Sequence, residues 1–186
     1  MAELNKGGFL SYPSDYKQLI FYRKTVVLYD MTFFFKEKFL LKGDRTQDQM
    51  EQAARSGKQN IVEGLTDGMT SREMEIKLLN VARGSIKELL EDYQDYLRVH
   101  NLMLWDEKHE RYNKMLKFCF ENSEVAIFST YFDRWSDEEL CNIAITLCHQ
   151  VDRGLMKFIA NSEARFLAEG GIKEKMSDAR RRHRGY

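Results

Sequence analysis

Only one proline occurs in the 186 residues, at position 13, so no proline after it interrupts a helix from within. Proline does so elsewhere because it lacks an N–H and its ring clashes with the preceding turn. From Tyr16 onward apolar residues recur three and four apart over long runs, the period of a helix that buries one side. The pattern predicts a bundle of long helices. The chain is 31% charged and 43% hydrophobic, a balance that suits a folded protein, and its length suits one domain or one domain with an appendage.

Residues 1 to 15 read as a loose leader, with Gly7-Gly8 and Tyr12 to Asp15 as turn chemistry. A first helix is expected from about Tyr16 to Leu41. It bears one stripe at Leu19, Tyr22, Val26, Tyr29 and Phe33, and another at Ile20, Val27, Met31 and Phe34. With Phe35 and Phe39 to Leu41 added, this is more apolar surface than one groove takes. Core packing and a subunit interface both fit it. Lys42-Gly43-Asp44-Arg45 makes a short turn of the length that joins antiparallel neighbours.

The second helix, about Thr46 to Glu63, would bury Met50, Ala53, Ala54, Ile61 and Val62, and Gly64 reads as its stop. Gly57 inside it costs about 1 kcal/mol relative to alanine, or lets another helix come close. A third helix starts at Thr70-Ser71-Arg72-Glu73, a cap with a glutamate close behind. Ile76, Leu79, Arg83, Ile86, Leu90, Tyr93 and Leu97 form one seam on it. Leu78, Ala82, Ser85, Leu89 and Tyr96 form a second, so it has neighbours on two sides.

After a break at Val99 to Asp106, a helix is expected over about Glu107 to Asn122. A packed connector from Ser123 to Trp135 follows, with a short strand-like or single-turn piece. Ser136 then caps a last helix reaching about Ala168, stopped by Gly170-Gly171.

Lys+Arg and Asp+Glu both total 29, which counts against a generic nucleic-acid coat but leaves room for local patches. Residues 121 to 139 are acidic. Residues 173 to 186 are basic and contain Arg180, Arg181, Arg182 and Arg184. Lys17, Lys24, Lys38 and Lys42 fall within roughly 60° on an ideal first helix, either as a solvated face or as a phosphate-binding stripe. Arg55 and Lys58 extend that basic character. Arg83 sits in an apolar seam beside the small Gly84 and Ser85, so it must be paired or reach the edge. The preceding helix offers Glu51 or Glu63 as partner.

Catalytic signatures are missing. The four histidines include no HExxH and no i, i+4 pair, and none has an arginine four to six residues upstream as a helical ribonuclease of the HEPN type requires. No phosphate-binding glycine loop, dinucleotide fingerprint or nucleophile elbow occurs. The acids Glu88, Glu91, Asp92 and Asp95 lack the Glu-x-x-His pairs of a di-metal bundle and read as a polar face. The expectation is a non-enzyme with no cofactor and no metal. Three cysteines without CxxC spacing, no secretory apolar run and no membrane-length apolar stretch suggest a cytoplasmic protein.

Gln49 to Ala54, Asn60-Ile61-Val62-Glu63-Gly64, and Ala82-Arg83-Gly84-Ser85 with Glu88 resemble the bacterial four-helix bundle proteins. That family includes the protein encoded within intervening sequences of 23S ribosomal RNA genes and the accessory variability determinant of diversity-generating retroelements. The resemblance covers Tyr16 to about Leu97, and Glu138 to Ala168 as a fourth helix. It implies an all-α, up-down four-helix bundle over residues 1–169, to which this chain adds an inserted helical connector at about 101–135 and a basic C-terminal suffix at 170–186. It implies a ring-like homopentamer and a nucleic-acid or nucleic-acid-enzyme partner such as a reverse transcriptase. The binding residues it suggests are Lys24, Lys38, Lys42, Arg55 and Lys58. Arg83, Gly84 and Glu63 would be structural. The chain departs from the family at Lys58, where many members have proline, and in its longer 101–135 segment. The function expected is a non-catalytic oligomeric adaptor for RNA or DNA that also uses Arg180, Arg181, Arg182 and Arg184. The alternative is a protein–protein scaffold with no nucleic-acid role.

Overall fold

The computed structural model describes residues 15–67, 71–169, 177 and 180–184. Among these the chain is all-helical, without a strand. A 3-10 turn at Tyr16–Gln18, in which the Asp15 carboxylate accepts from the Lys17 N–H at 3.1 Å, leads into α1, Ile20–Phe39. Lys17 and Lys42 therefore lie outside the helix, and the expected four-lysine arc is interrupted at both ends. The last carbonyls of α1 lack intrahelical donors. Gln47 Nε2 supplies one, donating to Lys36 O and Leu40 O at 3.1 Å each. Gly43, at φ +90°, makes the reversal that a side chain would strain.

Helix α2, Arg45–Asp67, does not stop at Gly64 as the sequence suggested. A Cβ at Gly64 would lie 3.2 Å from Leu78 Cβ and 3.3 Å from Glu75 O, so this glycine permits helix contact rather than termination. Gly57 behaves alike, its missing Cβ replaced by Ile86 Cδ1 at 2.9 Å. Helix α3, Arg72–Val99, begins on Ser71, whose Oγ accepts from the Met74 N–H at 3.2 Å. It ends where Asn101 turns left-handed at φ +55°.

Helices α4 (Tyr112–Glu121) and α5 (Val125–Phe128) follow, with a 3-10 turn at Ser129–Tyr131. The connector thus carries single-turn pieces and no strand. Helix α4 starts later than expected, because Asp106 Oδ1 holds the Lys108 N–H in a turn and His109 stacks on Trp105 at 4.3 Å. Helix α6, Asp137–Glu169, opens with a reciprocal cap: Ser136 Oγ accepts from the Glu139 N–H, and the Glu139 carboxylate accepts from the Ser136 N–H.

The four long helices pack in a closed cycle, α1 on α2, α2 on α3, α3 on α6 and α6 on α1. Contacts between neighbours run in opposing order along the chain: Tyr29 with Lys58 and Lys36 with Glu51, Ser56 with Ser85 and Gly64 beside Leu78, Arg83 with Asp152 and Tyr96 with Asp137, Phe21 with Phe158 and Lys24 with Gln150. The core joins Phe35, Met50, Ile61, Leu79, Ile86, Tyr93, Leu140, Leu147 and Leu155. Phe21 and Phe35 of α1 are core, and Tyr22, Tyr29, Phe34 and Phe39 pack half-buried against it, whereas Phe33 faces out, as does Leu41 just after the helix. The buried Thr32 and Tyr93 hydroxyls satisfy each other at 2.9 Å.

The insert lies along α1 and α6. Trp105 anchors its start, donating its backbone N–H to Asn142 Oδ1 and its indole N–H to Glu138 Oε1, each at 2.8 Å. Phe132 packs on Phe34, and Arg23 of α1 reaches Glu124 at 2.6 Å. Among the described residues no helix is long and apolar enough to cross a membrane.

Candidate nucleic-acid interface

The lysines of α1 divide by environment. Lys24, expected to hold phosphate, is only 4% exposed. Its ammonium donates to Cys119 O at 2.7 Å and Gln150 Oε1 at 2.6 Å, and burial lowers its pKa against the opposing pull of Cys119. It is a structural cation, because its helix position faces the insert rather than solvent. Lys38 is exposed, donating weakly to Asp133 O at 3.3 Å and lying over the rings of Phe34 and Phe39. Lys42, in the turn after α1, is exposed too.

On α2, Arg55 faces solvent, whereas Lys58 is half-buried with its ammonium 3.6 Å from the centroid of Tyr29. The neighbouring Asp30 has its pKa raised by burial, an effect that Lys58 opposes. Lys58 is thus engaged within the bundle, and Arg55 remains the open cation of the two. Arg180, Arg181, Arg182 and Arg184 are all exposed. Of the expected cations, Lys38 alone is an exposed residue of α1, with Lys42 in the turn after it and Arg55 on α2.

Arg83 is paired, as its seam position required, but with a different partner. Its Nε donates to Asp152 Oδ1 of α6 at 2.7 Å, and Nη1 reaches Asn80 Oδ1 at 3.4 Å. Glu51 instead binds Lys36 at 2.5 Å, and Glu63 faces solvent on α2. The sequence could not show that the seam holding Arg83 faces α6. Gly84 is exposed with nothing within 4 Å of a built Cβ, so close packing does not explain it. Ser85 is the packed small residue, donating to Ser56 Oγ at 2.9 Å.

Two grooves open on the described surface, neither lined by these cations. Between α2 and α3 an opening of about 680 Å³ is lined by Asp48, Gln49, Gln52, Ala53, Ser56, Glu88 and Asp92. Burial, then Asp95 and Glu88, push the Asp92 carboxyl up to about 6. Such a surface repels phosphate. A second groove, of about 330 Å³, lies between the insert and α6 and is walled by Trp105, Phe118, Tyr131 and Trp135. Arg111 and Lys114 stand among its lining residues. Sequence reasoning passed over this groove because its aromatics come from three separated stretches. Arg111, Lys114 and Phe118, at helical spacing, were the available signal.

The cysteines are buried, and burial raises all three thiols, Cys119 to about 12, so thiolate nucleophiles are disfavoured. Cys148 is buried while His149 beside it is exposed. Among the described residues no group of three His, Cys, Asp or Glu could hold a metal ion. No protein-family model, curated protein or solved structure matches the chain.

Proposed function

We propose that this chain is a non-catalytic, oligomeric nucleic-acid-binding adaptor, built as an up-down four-helix bundle with an inserted helical connector. The observation that carries the reading is the run Arg180, Arg181, Arg182 and Arg184, four exposed arginines within five residues. Arginine in such density suits phosphate, which it meets bidentately. Lys38, Lys42 and Arg55 supply further exposed charge. The opposing order of paired contacts, Tyr29 with Lys58 and Lys36 with Glu51, Arg83 with Asp152 and Tyr96 with Asp137, Phe21 with Phe158 and Lys24 with Gln150, supports the up-down topology. The resemblance adds a homopentamer, a bacterial cytoplasmic setting and a nucleic-acid enzyme such as a reverse transcriptase as companion. Because the insert lies along α1 and α6, a ring would form through the faces of α2 and α3.

The test is binding of labelled RNA and DNA between about 50 and 200 mM salt, with the oligomer mass measured by light scattering. Affinity should fall steeply with salt, and charge reversal at Lys42 or Arg181 should weaken it on every sequence and flatten the salt slope by about one. Affinity indifferent to both overturns the reading. Leu41 and Phe120, 82% and 79% exposed, favour the second reading, a protein–protein scaffold. Under that reading the same titrations show no nucleic-acid binding at any salt.

A further inference from the structure

The groove beside α4 is chemically unlike the rest of the surface. Its floor is Met115 and Ile143, both nearly inaccessible, and its walls are aromatic. Tyr131 and Trp135 stack at 5.2 Å with planes 15° apart, and Phe118 meets both edge-on. Tyr131 is 37% exposed, so the pair is reachable from solvent. A parallel pair of rings is an arrangement that another planar ring can extend.

The charges at the groove decide what kind of ring. Glu139 is already committed, accepting from Arg111 Nη1 at 2.6 Å and from the Ser136 N–H at 2.9 Å. Among the described residues Lys114 has no ion-pair partner, and Arg134 lies 6.0 Å over the Tyr131 ring. Aromatic walls alone would suit an ammonium ligand, but Lys114 and Arg134 would repel it. A ligand with a planar neutral body and an anionic attachment satisfies both features.

We propose that this groove holds an unstacked base of a single-stranded nucleic acid, its ring extending the Tyr131–Trp135 stack and its phosphate at Lys114. The inference rests on the nucleic-acid reading above and names where that strand is held. The opening of about 330 Å³ takes one ring system with its sugar and not a duplex.

Both tryptophans of the chain, Trp105 and Trp135, line this groove, so emission excited selectively at tryptophan reports on it. The full chain is titrated at low salt with end-labelled oligouridylate, with the same length of RNA duplex, and with uridine monophosphate. Tryptophan emission and label anisotropy are followed together. The single strand should quench the emission to saturation at the concentration where anisotropy rises, and the duplex should not. Tyr131→Ala should weaken single-strand binding about 5- to 150-fold. Lys114→Glu, on an exposed side chain that the fold does not need, should weaken it too and reduce the salt slope by about one. Anisotropy that rises with unchanged emission, and with both variants binding as the parent, removes the groove as the site while leaving the adaptor reading intact. No rise with any nucleic acid overturns both. Quenching by the monophosphate as tight as by the strand makes this a mononucleotide site and overturns the strand.

Discussion

The ammonium of Lys24 donates to the main-chain carbonyl of Cys119, 95 residues further along the chain, at 2.7 Å. With Gln150 as second acceptor, one cation joins α1, the insert and α6 at a buried point. Replacing it with methionine keeps the volume and leaves both acceptors without a donor, at a cost of about 1–3 kcal/mol. Lys24→Met should therefore lower the urea midpoint while leaving nucleic-acid affinity unchanged under folding conditions. Unchanged stability with lost binding would return Lys24 to the interface.

Arg83 and Asp152 form the corresponding tie between α3 and α6, both side chains 21% exposed. A double-mutant cycle to alanine should give a coupling of about 1 kcal/mol or more, since the pair is short and mostly shielded. The cycle of Arg83 with Glu63 should give none. The reverse result would move Arg83 to the α2 side.

Asp92 carries the clearest pH signal. Its folded pKa of about 6 lies above the ordinary aspartate value, held there by burial first, then by Asp95 and Glu88. The folded state thus binds this proton more tightly than the unfolded chain does. The resulting stability is fully present below about pH 4 and is lost as pH rises through about 6. Asp92→Asn should remove that slope and stabilise the protein at neutral pH by on the order of 1 kcal/mol, the shift being screened where water reaches the carboxyl. Urea unfolding at several pH values measures it. Equal slopes in the two proteins would rule out the burial of this carboxyl.

Gly57 of α2 and Gly154 of α6, the two described helix glycines whose added Cβ would come within 3.0 Å of a neighbour, should respond differently to alanine. At Gly57 the new methyl meets Ile86 Cδ1 at 2.9 Å, the movable end of a side chain. The gain in helix propensity, about 1 kcal/mol, offsets the shift, so thermal unfolding should change little. At Gly154 it meets Phe21 Cβ at 2.8 Å, which only backbone movement can clear. Gly154→Ala should lower the melting temperature by several degrees, corresponding to about 1–3 kcal/mol of overpacking.

Helix positions were legible because burial imposes a periodicity on each element separately. The caps at Ser71 and Ser136, the two seams of α3 and the close approach at Gly57 all stand in the sequence. The site was less legible. Lys24 and Lys38 look alike on a helical projection, yet one is buried under the insert and the other exposed. Periodicity says which residues share a face; it does not say what a later segment lays over that face.

By itself, the sequence determined a helical fold, the spans of its long helices to within a few residues, and the need for Arg83 to be paired or to reach the edge. These follow from local hydrogen bonding, capping and the 3.6-residue period, which neighbours in sequence decide among themselves. Only the tertiary structure decided that Asp152 is the partner of Arg83, that Lys24 is structural, and that Trp105, Phe118, Tyr131 and Trp135 line one groove. Those outcomes depend on which faces meet across long stretches of chain, and no local rule encodes that pairing.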